Sequence, residues 1–306
     1  MKKRNIFARI LISPEEPRLR AGWRLVLQTV FMVIISIGLG MGLLLLPSLF
    51  IKIGNQMLIT QIAQLIAFTL SIYLARRFLD QRSFVSLGLK LDKRAGWDIL
   101  AGIGIAGLMM AGIFALEAAF GWITLEGFAW QYMSASAVLR NALGVLLVFI
   151  LVGWNEELLS RGYHLQNLAS GLNLTWGIVI SSAVFGILHL GNPNATWVSA
   201  AGIFLAGVFL AYGYVRTGQL WLSIGLHIGW NYFEGVVFGF PVSGLDIFNL
   251  TYITVDGPTL ITGGAFGPEA GFVLIPGLIL GAALIYVYTQ SRQQEVVSDQ
   301  QIAVSS

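Results

Sequence analysis

Residues 141–164 read NALGVLLVFILVGWNEELLSRGYH, and this stretch decides the class of fold. Fifteen mostly apolar residues, 141–155, precede the carboxylates Glu156 and Glu157, and Arg161 follows one helical turn later. A helix needs about 20 predominantly apolar residues to cross the hydrocarbon core of a bilayer. The stretch therefore predicts a membrane-spanning helix that carries ionisable groups near its end.

The overall composition also indicates a membrane protein. Of the 306 residues, 56% are hydrophobic and 11% are charged, whereas soluble domains usually carry about 25% charged residues. The chain has no cysteine, so disulfides and thiolate chemistry are excluded, and a metal ion would need His and carboxylate ligands. The net charge of +3 is small and gives no indication of nucleic-acid binding.

Apolar runs long enough to span a bilayer recur along the chain. They predict an all-α, polytopic transmembrane bundle of about eight spanning helices around a buried polar cavity; the alternative is six or seven helices, because residues 239–270 are long and ambiguous. The runs lie near residues 25–46, 57–75, 98–121, 141–160, 175–190, 197–215, 220–238 and 271–289. A basic arm, residues 1–24, precedes this single transmembrane domain, residues 25–289. Residues 290–306 have no apolar period and are predicted to be a disordered tail.

The distribution of charge predicts the topology, because Lys and Arg collect in cytoplasmic connections. With both termini inside, 16 of the 18 Lys and Arg residues fall on the cytoplasmic side. The predicted outer connections instead hold the acidic residues Glu117, Glu126, Asp246, Asp256 and Glu269. We therefore expect a multi-pass protein of the cell membrane with cytoplasmic termini. Residues 239–270 are expected to lie on the outer face or to dip into it as a re-entrant segment.

Ionisable side chains within spanning helices cost about 2.5–3.5 kcal/mol each, so they indicate a functional site by default. Within the first segment, Glu157 and Arg161 share one helix face and can pair, whereas Glu156 points about 100° away. A second segment, FGILHLGNPN, carries His189 near the end of a helix. If the chain turns near residues 171–173, the rise per residue places Glu156 and His189 at the same height.

The third segment, LHIGWNYFEG, places His227 and Asn231 one turn apart on one side of a helix. A carboxylate beside an imidazole can deprotonate water, and an imidazole with a carboxamide can donate hydrogen bonds to an oxyanion. Glu156, His189 and His227 are alternatively three ligands of the kind a catalytic zinc ion uses. Spacing alone leaves both open. Glu and His chains also serve proton relays, so a proton-coupled transporter or a partner-binding scaffold is the alternative to a hydrolase.

The segments EELLSR, FGILH and HIGWN resemble the motifs EExxxR, FxxxH and HxxxN/D of the CAAX prenyl protease and bacteriocin-processing family of intramembrane proteases. They occur in the family's order within residues 154–235. The stretch WLSIGLHIGWNYFEGVVFGFPVSG is similar to bacterial members, which implies a bacterial inner membrane as the location. The resemblance also implies an eight-helix bundle with a cavity that opens to the cytosol.

The same resemblance assigns roles to the residues of the three motifs. It implies that Glu156 and His189 activate water, that His227 and Asn231 hold the oxyanion, and that the remaining motif residues, Glu157, Arg161 and Phe185, support them. Members are commonly called metalloproteases, but a metal-free glutamate mechanism has also been argued, so the cofactor is either Zn²⁺ or none. The implied substrate is a peptide or protein, lipidated or membrane-embedded, such as a prenylated C-terminal peptide or a bacteriocin leader.

Overall fold

The computed structural model describes residues 6–14, 16–44 and 56–305, which form a helical bundle with one small two-stranded sheet. The α-helices are α1 (Ile6–Leu11), α2 (Ala21–Leu44), α3 (Gln56–Leu74), α4 (Lys93–Ala119), α5 (Ala135–Glu157), α6 (Leu165–Gly171), α7 (Leu174–Leu188), α8 (Trp197–Thr217), α9 (Trp221–Asn231), α10 (Thr259–Thr262) and α11 (Leu274–Ser305). Strands β1 (Ile123–Phe128) and β2 (Thr251–Val255) pair antiparallel. The predicted all-α, polytopic class is confirmed.

Six helical segments of the described chain are long and apolar enough to cross a membrane. They are Ala21–Gly42, Gln56–Leu79, Lys93–Ala119, Ala135–Gly171, Leu174–Gly191 and Trp197–Thr217. The other two expected spans are shorter. Residues 220–238 form α9 and a π-helical turn, Tyr232–Val237, and the apolar part of α11 is Leu274–Gln290. This last helix continues into the predicted tail, where the structure describes the backbone alone.

Polar side chains begin several of these helices. The side chains of Asp92, Ser134 and Asn173 each accept hydrogen bonds from the first backbone N–H groups of α4, α5 and α7, which otherwise lack partners. Asn173 also ends the short connection after Gly171. The turn predicted at residues 171–173 is therefore where the chain reverses.

Glycines let α9 approach α4 closely in the centre of the bundle. A Cβ atom on Gly102 of α4 would lie 2.5 Å from the backbone nitrogen of Leu226, and one on Gly225 of α9 would collide with the backbone oxygen of Ile99. Small residues permit such contact between spanning helices. As a result, α9 is buried along almost its whole length, and it carries His227 into the interior.

A buried ion cluster ties α2 to the end of α3. The carboxylate of Asp80 accepts hydrogen bonds from Arg24 at 3.0 Å and from Arg76 at 2.8 Å, while Arg18 donates to the Asp80 backbone oxygen. All four residues are buried. Buried charges are tolerated when they are paired. These three arginines therefore stabilise the contact between α2 and the end of α3, and they are also among the basic residues on which the predicted topology depends.

The segment 239–270 turns back into the bundle after β2. Its backbone near Glu269 packs so closely on α8 that a Cβ atom at Gly202 would collide with the Glu269 carbonyl oxygen. Glu269 is only 5% exposed and lines the central cavity. The Glu269 side chain thus points into the bundle, because the two short helical turns Gly264–Phe266 and Pro268–Ala270 redirect the chain inward.

Candidate active site

One cavity of about 370 Å³ lies among the helices. Glu156, at the end of α5, and His189, directly after α7, line it together with His227 and Asn231 of α9. Most of the remaining wall is apolar, with Phe149, Met109 and Phe209 among the lining residues. The structure therefore brings together all four side chains that the sequence predicts to be catalytic.

Glu156 occupies the middle of this group. Its Oε2 atom lies 3.9 Å from Nε2 of His189 and 3.7 Å from Nε2 of His227. The same oxygen has no hydrogen-bond partner among the described residues. A carboxylate oxygen without a partner, flanked by two imidazoles, can accept a proton from a bound water molecule.

Glu157 supports His227 from the other side. Its Oε1 atom lies 2.8 Å from Nδ1 of His227 and accepts a hydrogen bond from Arg161 at 2.7 Å. The side chains of Glu157 and Arg161 are 0% and 1% exposed. The adjacent carboxylates thus point in different directions, as their helical offset predicts, with Glu156 toward the cavity and Glu157 toward the protein interior.

Arg161 lies in the π-helical turn Leu158–His164 that follows α5, a distortion of the kind that often occurs at functional sites. It also donates to the backbone oxygen of Gly207 in α8 at 3.0 Å. Its guanidinium lies 4.4 Å from the ring centroid of Phe185, over the ring face. Phe185 in turn packs edge-on against His189, with ring centroids 4.6 Å apart. Of the three predicted supporting residues, Glu157 contacts His227 and Phe185 contacts His189. Arg161 contacts both Glu157 and Phe185.

The partners of the two imidazoles fix which ring nitrogen carries a proton. Nδ1 of His189 lies 2.8 Å from the backbone oxygen of Phe185, and a carbonyl oxygen can only accept a hydrogen bond. Nδ1 of His227 likewise faces the Glu157 carboxylate. Both rings therefore carry hydrogen on Nδ1, and both present Nε2 to Glu156. A neutral ring accepts a proton at that atom, and an imidazolium donates one.

Asn231 lies one turn beyond His227 on the same side of α9. Asn231 is 7% exposed, and it lines the cavity. The carboxamide has no hydrogen-bond partner within the part of the chain that the structure describes. Its N–H groups are therefore available to a group bound in the cavity.

The zinc alternative requires Glu156, His189 and His227 to share one ion. Bonds of about 2.0–2.1 Å would place the donor atoms of a tetrahedral zinc site roughly 3.3 Å apart. The observed Glu156 to Nε2 separations are 3.9 and 3.7 Å. Within the described residues, no group of three or more His, Cys, Asp or Glu could hold a metal ion. As arranged here, these residues do not fit a zinc site.

The cavity also contains polar residues that the three motifs do not reveal. Ser243 and Glu269 line it from the segment 239–270, and Asn192 lines it just after His189. Ser243 donates to Oε2 of Glu269 at 2.5 Å. Burial raises the pKa of Glu269 above its usual value, and the Ser243 hydrogen bond opposes that shift. No periodicity marks Glu269, because it lies between glycines in a loop.

Ionisable side chains that converge in a cavity among spanning helices indicate a functional site within the membrane. A carboxylate beside imidazoles is suited to acid–base hydrolysis. Residues 138–233 match the family model described as type II CAAX prenyl endopeptidase Rce1-like. The chain thus contains a domain of the Rce1-like family, and the family predicted from the motifs is confirmed. The matched region covers Glu156, His189, His227 and Asn231. No curated protein matches the chain.

Proposed function

We propose that this chain is an intramembrane endopeptidase that hydrolyses a peptide bond with a water molecule activated in the central cavity. The observation that carries the proposal is the position of Glu156 Oε2, which faces Nε2 of both His189 and His227 without a hydrogen-bond partner among the described residues. The match to the Rce1-like family supports peptide hydrolysis over proton transport.

Glu156 and neutral His189 activate the water in this proposal. The Glu156 carboxylate takes the proton as the water oxygen bonds to the carbonyl carbon of the substrate. His189 is suited to hold the same water, because its Nδ1–H is committed to the Phe185 carbonyl and its Nε2 is free to accept. The first step yields a tetrahedral intermediate with a negatively charged oxygen.

His227 and Asn231 stabilise that oxyanion. Glu157 and Glu156 flank the two nitrogens of the His227 ring, and two carboxylates in these positions favour the imidazolium, whose Nε2–H can donate. Asn231 supplies a second donor from the same helix face. Fixed donors in a site with little water stabilise developing charge strongly. The intermediate then collapses, the carbon–nitrogen bond breaks, and Glu156 returns its proton to the amine that leaves.

We also propose the kind of substrate and the orientation of the chain in the membrane. The substrate is a peptide segment that reaches the cavity from the membrane or from the cytosol, in keeping with the apolar wall, and a lipid group on it would find apolar contacts there. Both termini face the cytoplasm, and the β1–β2 sheet faces the other side, as the charge distribution of the sequence favours.

The test is a cleavage assay with purified, full-length protein in lipid vesicles and a library of quenched fluorescent peptides. Glu156→Gln keeps the shape of the side chain but removes the base, so the rate should fall by about 10² to 10⁴. The matched control is Glu126→Gln, because Glu126 is an exposed carboxylate on β1. Each protein is also assayed with chelator and with added zinc. Equal rates for the wild type and Glu156→Gln would refute the proposal.

A further inference from the structure

The segment 239–270 closes one side of the cavity with a carboxyl group that the proposed mechanism does not use. Glu269 is 5% exposed and lines the cavity. Its Oε2 accepts from the Ser243 hydroxyl at 2.5 Å, and the carboxyl also accepts from the Ser243 backbone. Asn192 donates to the Ser243 backbone oxygen at 3.1 Å. Ser243 therefore holds the Glu269 carboxyl at the wall of the cavity.

A second buried carboxyl lies behind it. Glu234 is 0% exposed, and neither of its carboxyl oxygens makes a hydrogen bond of good geometry to a described residue. Its polar neighbours include the Trp230 indole and Glu269. Two adjacent carboxyl groups with so few donors leave this side of the cavity short of positive charge.

Neither lysine nor arginine supplies that charge. No Lys or Arg is among the described residues that line the cavity. Arg161, which lies beneath it, is already paired with Glu157 and bound to Gly207. His189 and His227 influence Glu269 electrostatically, but both also face Glu156.

We propose that Glu269 determines the specificity of this site by pairing with a cationic side chain of the substrate, a Lys or Arg near the scissile bond. The inference rests on the proposed peptidase function and names the substrate class for it. A cation that enters an apolar cavity loses water and needs an opposite charge to compensate. The long apolar stem of Lys or Arg suits a wall that is largely apolar, with the charged end at Glu269. A substrate carboxylate at the same place, including a free C-terminus, would be repelled.

The experiment measures a preference, not a single rate. Full-length protein in vesicles is given matched quenched peptides that carry Lys, Gln or Glu at each position around one scissile bond. At one position the wild type should cleave the Lys peptide at least about 10-fold better than the Glu peptide, judged by kcat/KM, because close charge pairs buried at interfaces are worth this much or more. Glu269→Gln should bring that ratio close to one, and Glu269→Lys should reverse it.

Ratios within one protein do not depend on the fraction that folds, and Glu126→Gln serves as the control that keeps the wild-type ratio. If Glu269→Gln loses all cleavage, the Lys-to-Glu ratios of the wild type and Glu269→Asp are compared, since both proteins keep the carboxylate. A preference for Lys in both supports the inference, and a ratio of one in Glu269→Asp overturns it. A wild type that cleaves Lys and Glu peptides equally at every position would overturn the inference, and so would an unchanged ratio in Glu269→Gln. The proposed peptidase function fails separately, through unchanged cleavage by Glu156→Gln.

Discussion

The buried pair of Glu157 and Arg161 should show different behaviour when its members are removed singly and together. Their side chains are 0% and 1% exposed and 2.7 Å apart. In Glu157→Gln, the guanidinium of Arg161 loses its counter-charge and keeps only neutral partners, which are the new carboxamide oxygen, the Gly207 carbonyl and the face of Phe185. A buried charge that loses its counter-charge is strongly destabilising. We therefore expect Glu157→Gln to be the least stable variant of the set.

The contacts of each residue set the order of the effects. Removing one partner of a buried ion pair costs about 3–5 kcal/mol, and we expect this range for Glu157→Gln. Arg161→Met should cost less, because Glu157 keeps His227 at 2.8 Å as a partner. The double variant removes both charges together, so its stability should lie above that of Glu157→Gln. Its cleavage rate should still fall by roughly 10² to 10³, since His227 loses the carboxylate that favours its donor state.

The assay compares the thermal unfolding of the four proteins in one detergent with their cleavage of one peptide in vesicles. We expect stability to recover in the double variant while activity does not. If the double variant were as unstable as the sum of the single changes, the charges would not be the cause of the loss. If it regained wild-type activity, Glu157 would have no part in the state of His227.

Three further results are expected. Asn231→Ala should lower kcat by about 10² to 10³ through the loss of one oxyanion donor, with an unaltered unfolding temperature; no change in kcat would remove Asn231 from the mechanism. Gly225→Ala should lower the unfolding temperature because its Cβ meets the α4 backbone, whereas Gly104→Ala on the open face of α4 should not. Single cysteines at the exposed positions Leu125 and Val85 should be labelled by an impermeant reagent from opposite sides of the membrane, and labelling from the same side would contradict the proposed topology.

The sequence alone was sufficient to predict the arrangement around Glu156 and Glu157. Consecutive residues on a helix point about 100° apart, and residues four apart share a face, so the separate directions of the two carboxylates and the Glu157–Arg161 pair follow from spacing. The approach of His189 to Glu156 followed from equal helix rise on either side of a short turn. These predictions depend on local geometry, which a helix repeats along its length.

The number of full-length spans could not be obtained in this way. Hydropathy treats residues 220–238 like any other apolar run, but they form a short, almost fully buried helix that ends in a π-helical turn. Its position depends on the close contact of Gly225 and Gly229 with the backbone of α4. That contact joins parts of the chain more than a hundred residues apart, and no pattern within either part reveals it.

Tertiary structure also decided the polar composition of the cavity. From composition and charge, Glu269 belongs to an outer connection, because a loop rich in Gly and Pro has no period that would place its side chains. Its inward position depends on short helical turns and on the collision-free space above Gly202 of α8. The sequence by itself determined the membrane bundle and the residues that we propose for acid–base chemistry, since apolar length and helical spacing are local properties. Only the packed chain decided which further carboxyl group lines the cavity, because long-range contacts direct the loop that carries it.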